Sequence, residues 1–232
     1  MVSDALHALP VVDCKLAADR QALLRVDAKG AVAAAHTIPG QYVKVALPFD
    51  EVPRPYAIAS APGTDILEFL LKVPEERVAP LLALGPDDKV TMSRPQGKGY
   101  PVDRIHGHHL WLFAVGSGIA PLRAVLEHLL PRRNDMLDVK LLYGVREPTE
   151  LAFTARFGAW AGHGIQVLPV VSRAAPGAWD GRTGHVQDHL PKELPDPART
   201  LAFICGLPAM DRDVSAQLLQ RGVGPEQVFR NW

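Results

Sequence analysis

Gly116-Ser117-Gly118-Ile119-Ala120-Pro121 is the stretch of this sequence best suited to holding a ligand. It follows a continuous apolar run at 110–115 and precedes a helical pattern at 121–130. Glycines let a backbone turn tightly and approach a pyrophosphate. A helix N-terminus offers that group free N–H donors and a partial positive charge. Pro121 suits the first helical turn, where its missing N–H has no intrahelical partner anyway. The same GxGxxP pattern also fits a plain strand–turn–helix junction, so the turn alone leaves both readings open. His106, His108 and His109 form a second cluster, and His185 and His189 share one face if their segment is helical. No carboxylate or thiolate pattern accompanies either group, so no metal site is expected. Two cysteines, Cys14 and Cys205, allow at most one disulfide and cannot ligate an iron–sulfur cluster alone. Gly116-Ser117-Gly118 is not the G-x-S-x-G of a nucleophile elbow, and no catalytic triad or carboxylate pair stands out, which disfavours a hydrolase or transferase.

The elements that must position these residues fall into two regimes. Before residue 104, short apolar stretches recur at 11–16, 22–26, 42–47, 55–60, 66–73 and 89–92. Breakers such as Lys29-Gly30, Pro39-Gly40, Pro62-Gly63 and Gly85-Pro86 separate them. This rhythm predicts an antiparallel barrel or sandwich, with one short helix at 77–84. From 104 onward, strands at 110–115, 139–143, 165–171 and 201–204 alternate with helices at 121–130, 151–160, 185–190 and 208–220. Alternation of that kind predicts a parallel sheet. The expected division is therefore 1–103 and 104–232.

The chain has 232 residues, 47% hydrophobic and 22% charged, with no net charge. The first part carries 11 basic and 13 acidic residues and the second 14 and 12, which excludes nucleic-acid binding driven by phosphate neutralisation. Apolar runs stop far short of the roughly 20 residues that span a bilayer. The opening Met1-Val2-Ser3-Asp4 lacks a basic region followed by an apolar core, so a cytoplasmic location is expected.

Five segments in order carry a resemblance. They are Pro39-Gly40-Gln41-Tyr42-Val43; Arg54-Pro55-Tyr56-Ala57-Ile58-Ala59-Ser60; the glycine turn through Leu122; Leu142-Tyr143-Gly144-Val145-Arg146; and Cys205-Gly206-Leu207-Pro208-Ala209-Met210. Their order and spacing resemble the ferredoxin–NADP(H) reductase-like flavoprotein superfamily over nearly the whole chain. The resemblance implies an all-β plus α/β fold. An N-terminal antiparallel Greek-key β-barrel binds FAD, and a Rossmann-like parallel-sheet domain binds NAD(P)H. It implies an NAD(P)H oxidoreductase that moves a hydride from nicotinamide to flavin and electrons on to an acceptor, among which a protein partner is included. Arg54 would meet the flavin phosphates, with Pro55, Tyr56 and Ala57 beside the ring system. Arg77 and the N–H groups of Val78 and Ala79 would face the pyrophosphate. Gly116, Ser117, Gly118, Ile119, Ala120 and Pro121, with Gly144 and Arg146, would hold the nicotinamide nucleotide. Ser172 and Arg173 match the pair that receives a 2′-phosphate in NADPH-using relatives. Trp179-Asp180-Gly181-Arg182-Thr183-Gly184 resembles a run common in NADH-using ones, so the choice of nucleotide stays open. Cys205, Gly206 and Met210 match the segment beside the nicotinamide ring, where Cys205 would pack and orient; a small core residue is the alternative. Trp232, on a mobile chain end, would cover the flavin face.

The sequence departs from the family pattern twice. Ala57 stands where a serine or threonine hydroxyl usually approaches the flavin, and Ser60, three residues on, points to the opposite strand face. Glu75-Glu76-Arg77-Val78-Ala79-Pro80 lacks the glycine and hydroxyl of the usual pyrophosphate loop. These departures leave FAD against FMN open. They also motivate an alternative: a catalytically weak or inactive flavin- or nucleotide-binding regulatory subunit.

Overall fold

The computed structural model describes residues 6–72 and 74–231. Six strands form the first sheet: β1 (His7–Ala18), β2 (Gln21–Asp27), β3 (Tyr42–Ala46), β4 (Arg54–Ala57), β5 (Ile66–Lys72) and β6 (Lys89–Met92). Their order is β4-β3-β6-β1-β2-β5, all antiparallel. Just beyond β4, the Ala59 N–H donates to the Glu68 carbonyl of β5 at 2.8 Å, which closes the sheet into a barrel. Alternate residues point inward, as strand geometry requires. Ala22, Leu24 and Val26, Val43 and Val45, Leu67, Phe69 and Leu71, and Val90 and Met92 make the barrel core. Two short helices, α1 (Ala31–Ala34) and α2 (Val78–Leu82), lie in its connections. The pattern at 77–84 predicts the second; α1 has too few residues to show a helical period.

The second sheet is parallel: β7 (His109–Val115), β8 (Val139–Val145), β9 (Ile165–Val171), β10 (Arg182–Thr183), β11 (Thr200–Cys205) and β12 (Val228–Arg230). Helices α3 (Ile119–Leu129), α4 (Thr154–Gly162) and α5 (Pro208–Gln220) cover it. Leu110, Leu112 and Ala114 of β7 face the α3 and α4 side, while Trp111 and Phe113 face the α5 side. Both faces are buried, which explains the unbroken apolar run in the sequence. The sheet order is β10-β9-β8-β7-β11-β12, so the chain builds outward from β7 and then crosses to its other side. The point of reversal lies between β7 and β11, where open α/β sheets bind ligands. Among the described residues, no helix is long and apolar enough to cross a membrane.

Two local expectations change. Helix α4 starts only at Thr154, because Phe153 before it is left-handed (φ 60°). The segment at 185–190 is a four-residue 3₁₀ turn (Val186–His189), so His185 and His189 do not stack as on an α-helix. His189 Nε2 instead lies 2.8 Å from the Thr183 carbonyl. Before the chain end, β12 joins the sheet, and Asn231 Nδ2 donates to the Gly40 carbonyl at 3.2 Å. Trp232 lies outside the described residues.

The barrel and the parallel sheet share a seam. Ala18, Ala59, Leu70 and Tyr100 belong to the same apolar cluster as α3 and the inner sheet face. Tyr100 stacks on Phe203 at 4.7 Å and donates its hydroxyl to the Ile204 carbonyl. From α3, Arg123 reaches the closure itself. It donates to the Ala59 carbonyl at 3.0 Å and to Glu68 Oε2 at 2.6 Å, and lies over the Phe153 ring. Removing one partner of a partly buried, charge-assisted contact costs more than an exposed ion pair returns. Arg123→Ala is therefore expected to destabilise the protein by about 2–3 kcal/mol. Urea denaturation would register this as a lower midpoint at unchanged slope.

Candidate functional site

At the reversal point the carboxyl ends of β7 and β11 deliver two turns that nearly touch. After β7, Gly116–Gly118 forms a 3₁₀ turn that runs directly into α3. After β11, Gly206 and Leu207 lead into α5. A Cβ on Gly118 would lie 2.3 Å from the Cys205 carbonyl oxygen, and one on Gly206 would lie 3.0 Å from the Val115 nitrogen. Only glycine permits this approach. No side chain caps the N-terminus of the 3₁₀ turn, of α3 or of α5. The Ile119 N–H that opens α3 is taken by carbonyls of the 3₁₀ turn, so the first N–H groups of that turn and of α5 are the ones available to an anion in the gap.

A cleft of about 940 Å³ opens from this gap toward the barrel. Pro55, Tyr56, Ala57, Leu70 and Lys72 form its barrel wall. Tyr56 is half-buried, and its phenol is pushed up first by burial and then by Asp50, while Arg54 and Arg77 pull it down. Cys205 and Met210 lie on the opposite wall. Burial pushes the Cys205 thiol up to about 12, so it is a neutral packing group and a poor nucleophile at ordinary pH. Ala57 brings no hydroxyl to the cleft. Ser60 cannot replace it, because its Oγ accepts from the Glu68 N–H at 3.2 Å as part of the barrel closure.

The far end of the cleft lies at the ends of β8 and β9. Arg146 and Arg173 are exposed there beside Ser172, and neither arginine has an ion-pair partner among the described residues. Backbone bonds from Ser172 N to Val145 O and from Arg173 N to Arg146 O hold the two strand ends together. Gly144 gives room: a Cβ there would meet Val186 at 2.9 Å. Among the described residues, no group of three or more His, Cys, Asp or Glu is placed to hold a metal.

The cleft gathers Pro55, Tyr56, Ala57, Gly116, Ser117, Gly118, Ala120, Pro121, Gly144, Arg146, Ser172, Arg173, Cys205, Gly206 and Met210 from distant parts of the chain. Ile119 is not among them; its side chain is fully buried in the α3 core. Arg54 is exposed at the start of β4, beside the cleft wall. Arg77, Val78 and Ala79 do not line the cleft. The Arg77 guanidinium is held by the Asp50 carboxylate and lies over Phe49, and the Val78 N–H is taken by the Glu75 carbonyl.

Glu150 is a cleft residue that sequence reasoning missed. Its carboxylate accepts from the Arg146 N–H at 3.0 Å and lies 3.8 Å from both Arg20 and Lys72. Its backbone carbonyl accepts from buried Gln21 at 2.9 Å. It thus joins the β1–β2 turn, β5 and β8. Arg20 beside it and Phe153 just after it are the two non-glycine residues with left-handed backbone among those described. No local pattern singles out this glutamate as a link between the halves, since Arg20, Gln21 and Lys72 come from the other half of the chain.

A family model for an oxidoreductase NAD-binding domain matches residues 112–216. The chain is 31% identical over 201 residues to ferredoxin–NADP reductase of Pseudomonas aeruginosa, covering 77% of each chain. It is 32% identical over 207 residues to fruit protein pKIWI502 of Actinidia deliciosa. That match covers 82% of this chain but only 65% of the kiwifruit protein, so the chain spans just under two thirds of this relative's length. Among solved structures, its fold is similar to that of a ferredoxin NADP+ reductase from Neisseria gonorrhoeae with bound FAD and NADP. The TM-score is 0.79 at 22% identity, covering 97% of each chain.

Proposed function

The chain belongs to the ferredoxin–NADP(H) reductase family, and on that premise we propose that it is an NAD(P)H oxidoreductase that uses FAD to pass electrons to a separate acceptor. One observation carries the reading: a single cleft has a barrel wall at Tyr56 and Ala57 and an uncapped glycine turn at Gly116–Gly118 facing it. Two flat rings, one held on each wall, would meet there.

The residues fit both groups. The gap between the glycine turn and the α5 N-terminus suits a nicotinamide nucleotide's pyrophosphate, because side chains are excluded at Gly118 and Gly206 and no side chain caps the turn or α5. Arg146, Ser172 and Arg173 would take the nucleotide's far end. Tyr56 offers a flat face to an isoalloxazine ring, and exposed Arg54 offers a fork of donors to the phosphate of its ribityl chain. When bound, the flavin itself supplies the hydride-accepting and electron-passing chemistry. The chain's own work is to align and shield. The neutral Cys205 thiol and Met210 pack the closed side of the cleft and exclude water, and Glu150 ties the two walls at a fixed opening. Alignment matters because transfer needs reacting atoms about 3–3.5 Å apart. No proton-transferring side chain is required for a hydride step. We assign the acceptor to a separate electron-carrier protein, the class named for the Pseudomonas relative.

Freshly purified protein should be yellow and should bleach anaerobically with NADH or NADPH. A colourless protein that stays flavin-free after reconstitution would favour the non-catalytic regulatory reading. Arg54→Ala should weaken flavin retention about tenfold, the worth of one charge-assisted contact, and leave nicotinamide-nucleotide affinity unchanged. Equal flavin occupancy in the variant and parent would remove Arg54 from the site.

A further inference from the structure

The surface next to Tyr56 is built for one phosphate and not for a chain of two. Arg54, two residues before Tyr56 on β4, is exposed and has no partner among the described residues. It is a free cation for the phosphate that ends a ribityl chain. The next cation, Arg77, is spoken for. The Asp50 carboxylate, only 4% exposed, holds its guanidinium, and the Phe49 ring lies beneath it at 5.0 Å. Asp50 is itself fixed, since its other oxygen accepts from the Leu47 N–H at 3.2 Å. Backbone donors fare no better. The Val78 N–H is taken by the Glu75 carbonyl, and α2 has five residues. Around this pair lie three exposed carboxylates, Glu51, Glu75 and Glu76. A second phosphate would meet net negative charge, with the Arg77 guanidinium and the Val78 N–H already taken.

We infer that this barrel holds a flavin by its ring, ribityl chain and first phosphate alone, so that FMN and FAD bind alike and the adenylate half of FAD adds no affinity. This rests on the flavin reading proposed above. Without adenylate anchorage the flavin exchanges with free flavin in solution, and flavin 5′-phosphates as a class are its ligands.

The test is a titration of the full-length apoprotein with FAD, FMN and riboflavin, followed by quenching of flavin fluorescence. FAD and FMN are expected to agree within about threefold. Riboflavin, lacking the phosphate that Arg54 meets, is expected to bind about tenfold more weakly. Excess ADP should not displace FMN. Asp50→Asn, which keeps the Leu47 contact but releases the charge on Arg77, should tighten FAD several-fold and leave FMN unchanged. FAD binding more than about thirtyfold tighter than FMN, or displacement of FAD by ADP, would overturn the inference and leave the proposed function standing. Failure of all three flavins to bind would overturn the proposed function itself.

Discussion

Gly118→Ala is expected to lower kcat/KM for NAD(P)H at least about 100-fold and to cost about 3 kcal/mol of stability. The added Cβ would sit 2.3 Å from the Cys205 carbonyl oxygen and 2.7 Å from its carbon. Both are backbone atoms of a central strand paired to β7 at Ala114, so no rotamer change can relieve the contact. The two strand ends must part, and the gap that receives the pyrophosphate parts with them. Gly116 makes the control. It needs glycine for a different reason: its φ is 56°, but nothing lies within 4 Å of an added Cβ. Gly116→Ala should cost about 1 kcal/mol, the usual penalty of a left-handed residue, with a smaller loss of affinity. Urea denaturation and steady-state kinetics on both variants separate the two causes. Parent-like behaviour of Gly118→Ala would mean that the turns are not in contact as described.

The second large effect is a pH dependence centred on His36. This side chain is 2% exposed, and neither ring nitrogen has a hydrogen-bond partner among the described residues. Burial, aided by nearby His128, pushes its pKa down from 6.5 to about 4. Between these values the unfolded chain binds a proton that the folded protein refuses. Stability from this group is therefore complete above about pH 7 and falls as pH drops. The loss is about 1.4 kcal/mol per pH unit, reaching roughly 3 kcal/mol near pH 4. Carboxylates titrate in the same range, so the useful quantity is the difference between parent and His36→Leu. Leucine fills similar space with no orphaned nitrogens. The variant should match or exceed the parent at pH 7.5 and exceed it by about 3 kcal/mol near pH 4. Parallel stability curves across this range would show that His36 is not the titrating group.

The periodic elements were legible because a single cause set each of them. Strand β9 and helix α5 fall at the expected bounds, since an apolar run and a proline-led amphipathic segment mark them without competition. Strand β12 escaped because three residues carry no pattern; its place comes from pairing with β11. The start of α4 was displaced by one left-handed residue that no local rule anticipates. At the cleft, residues recognisable by backbone need, such as Gly116 and Gly118, were found from sequence. Glu150 and Arg123 were not. Their roles depend on Gln21, Lys72, Ala59 and Glu68, which lie 55 or more positions away or across the seam. For Arg77 the family resemblance implied a phosphate contact, but Asp50, 27 positions earlier, occupies it.

The closure of the barrel depends on an arginine that the barrel does not own. Arg123 comes from α3, yet it secures the Ala59 carbonyl and Glu68, where the first sheet meets its own edge. Cut from the rest, the N-terminal part would keep its inner core but lose the fastening between its first and last staves, leaving a raw β edge open to self-pairing. Recombination could not trade either half for a cousin's without rewriting that join. Engineers seeking a free-standing flavin module from this chain should graft a substitute for that arginine before they cut.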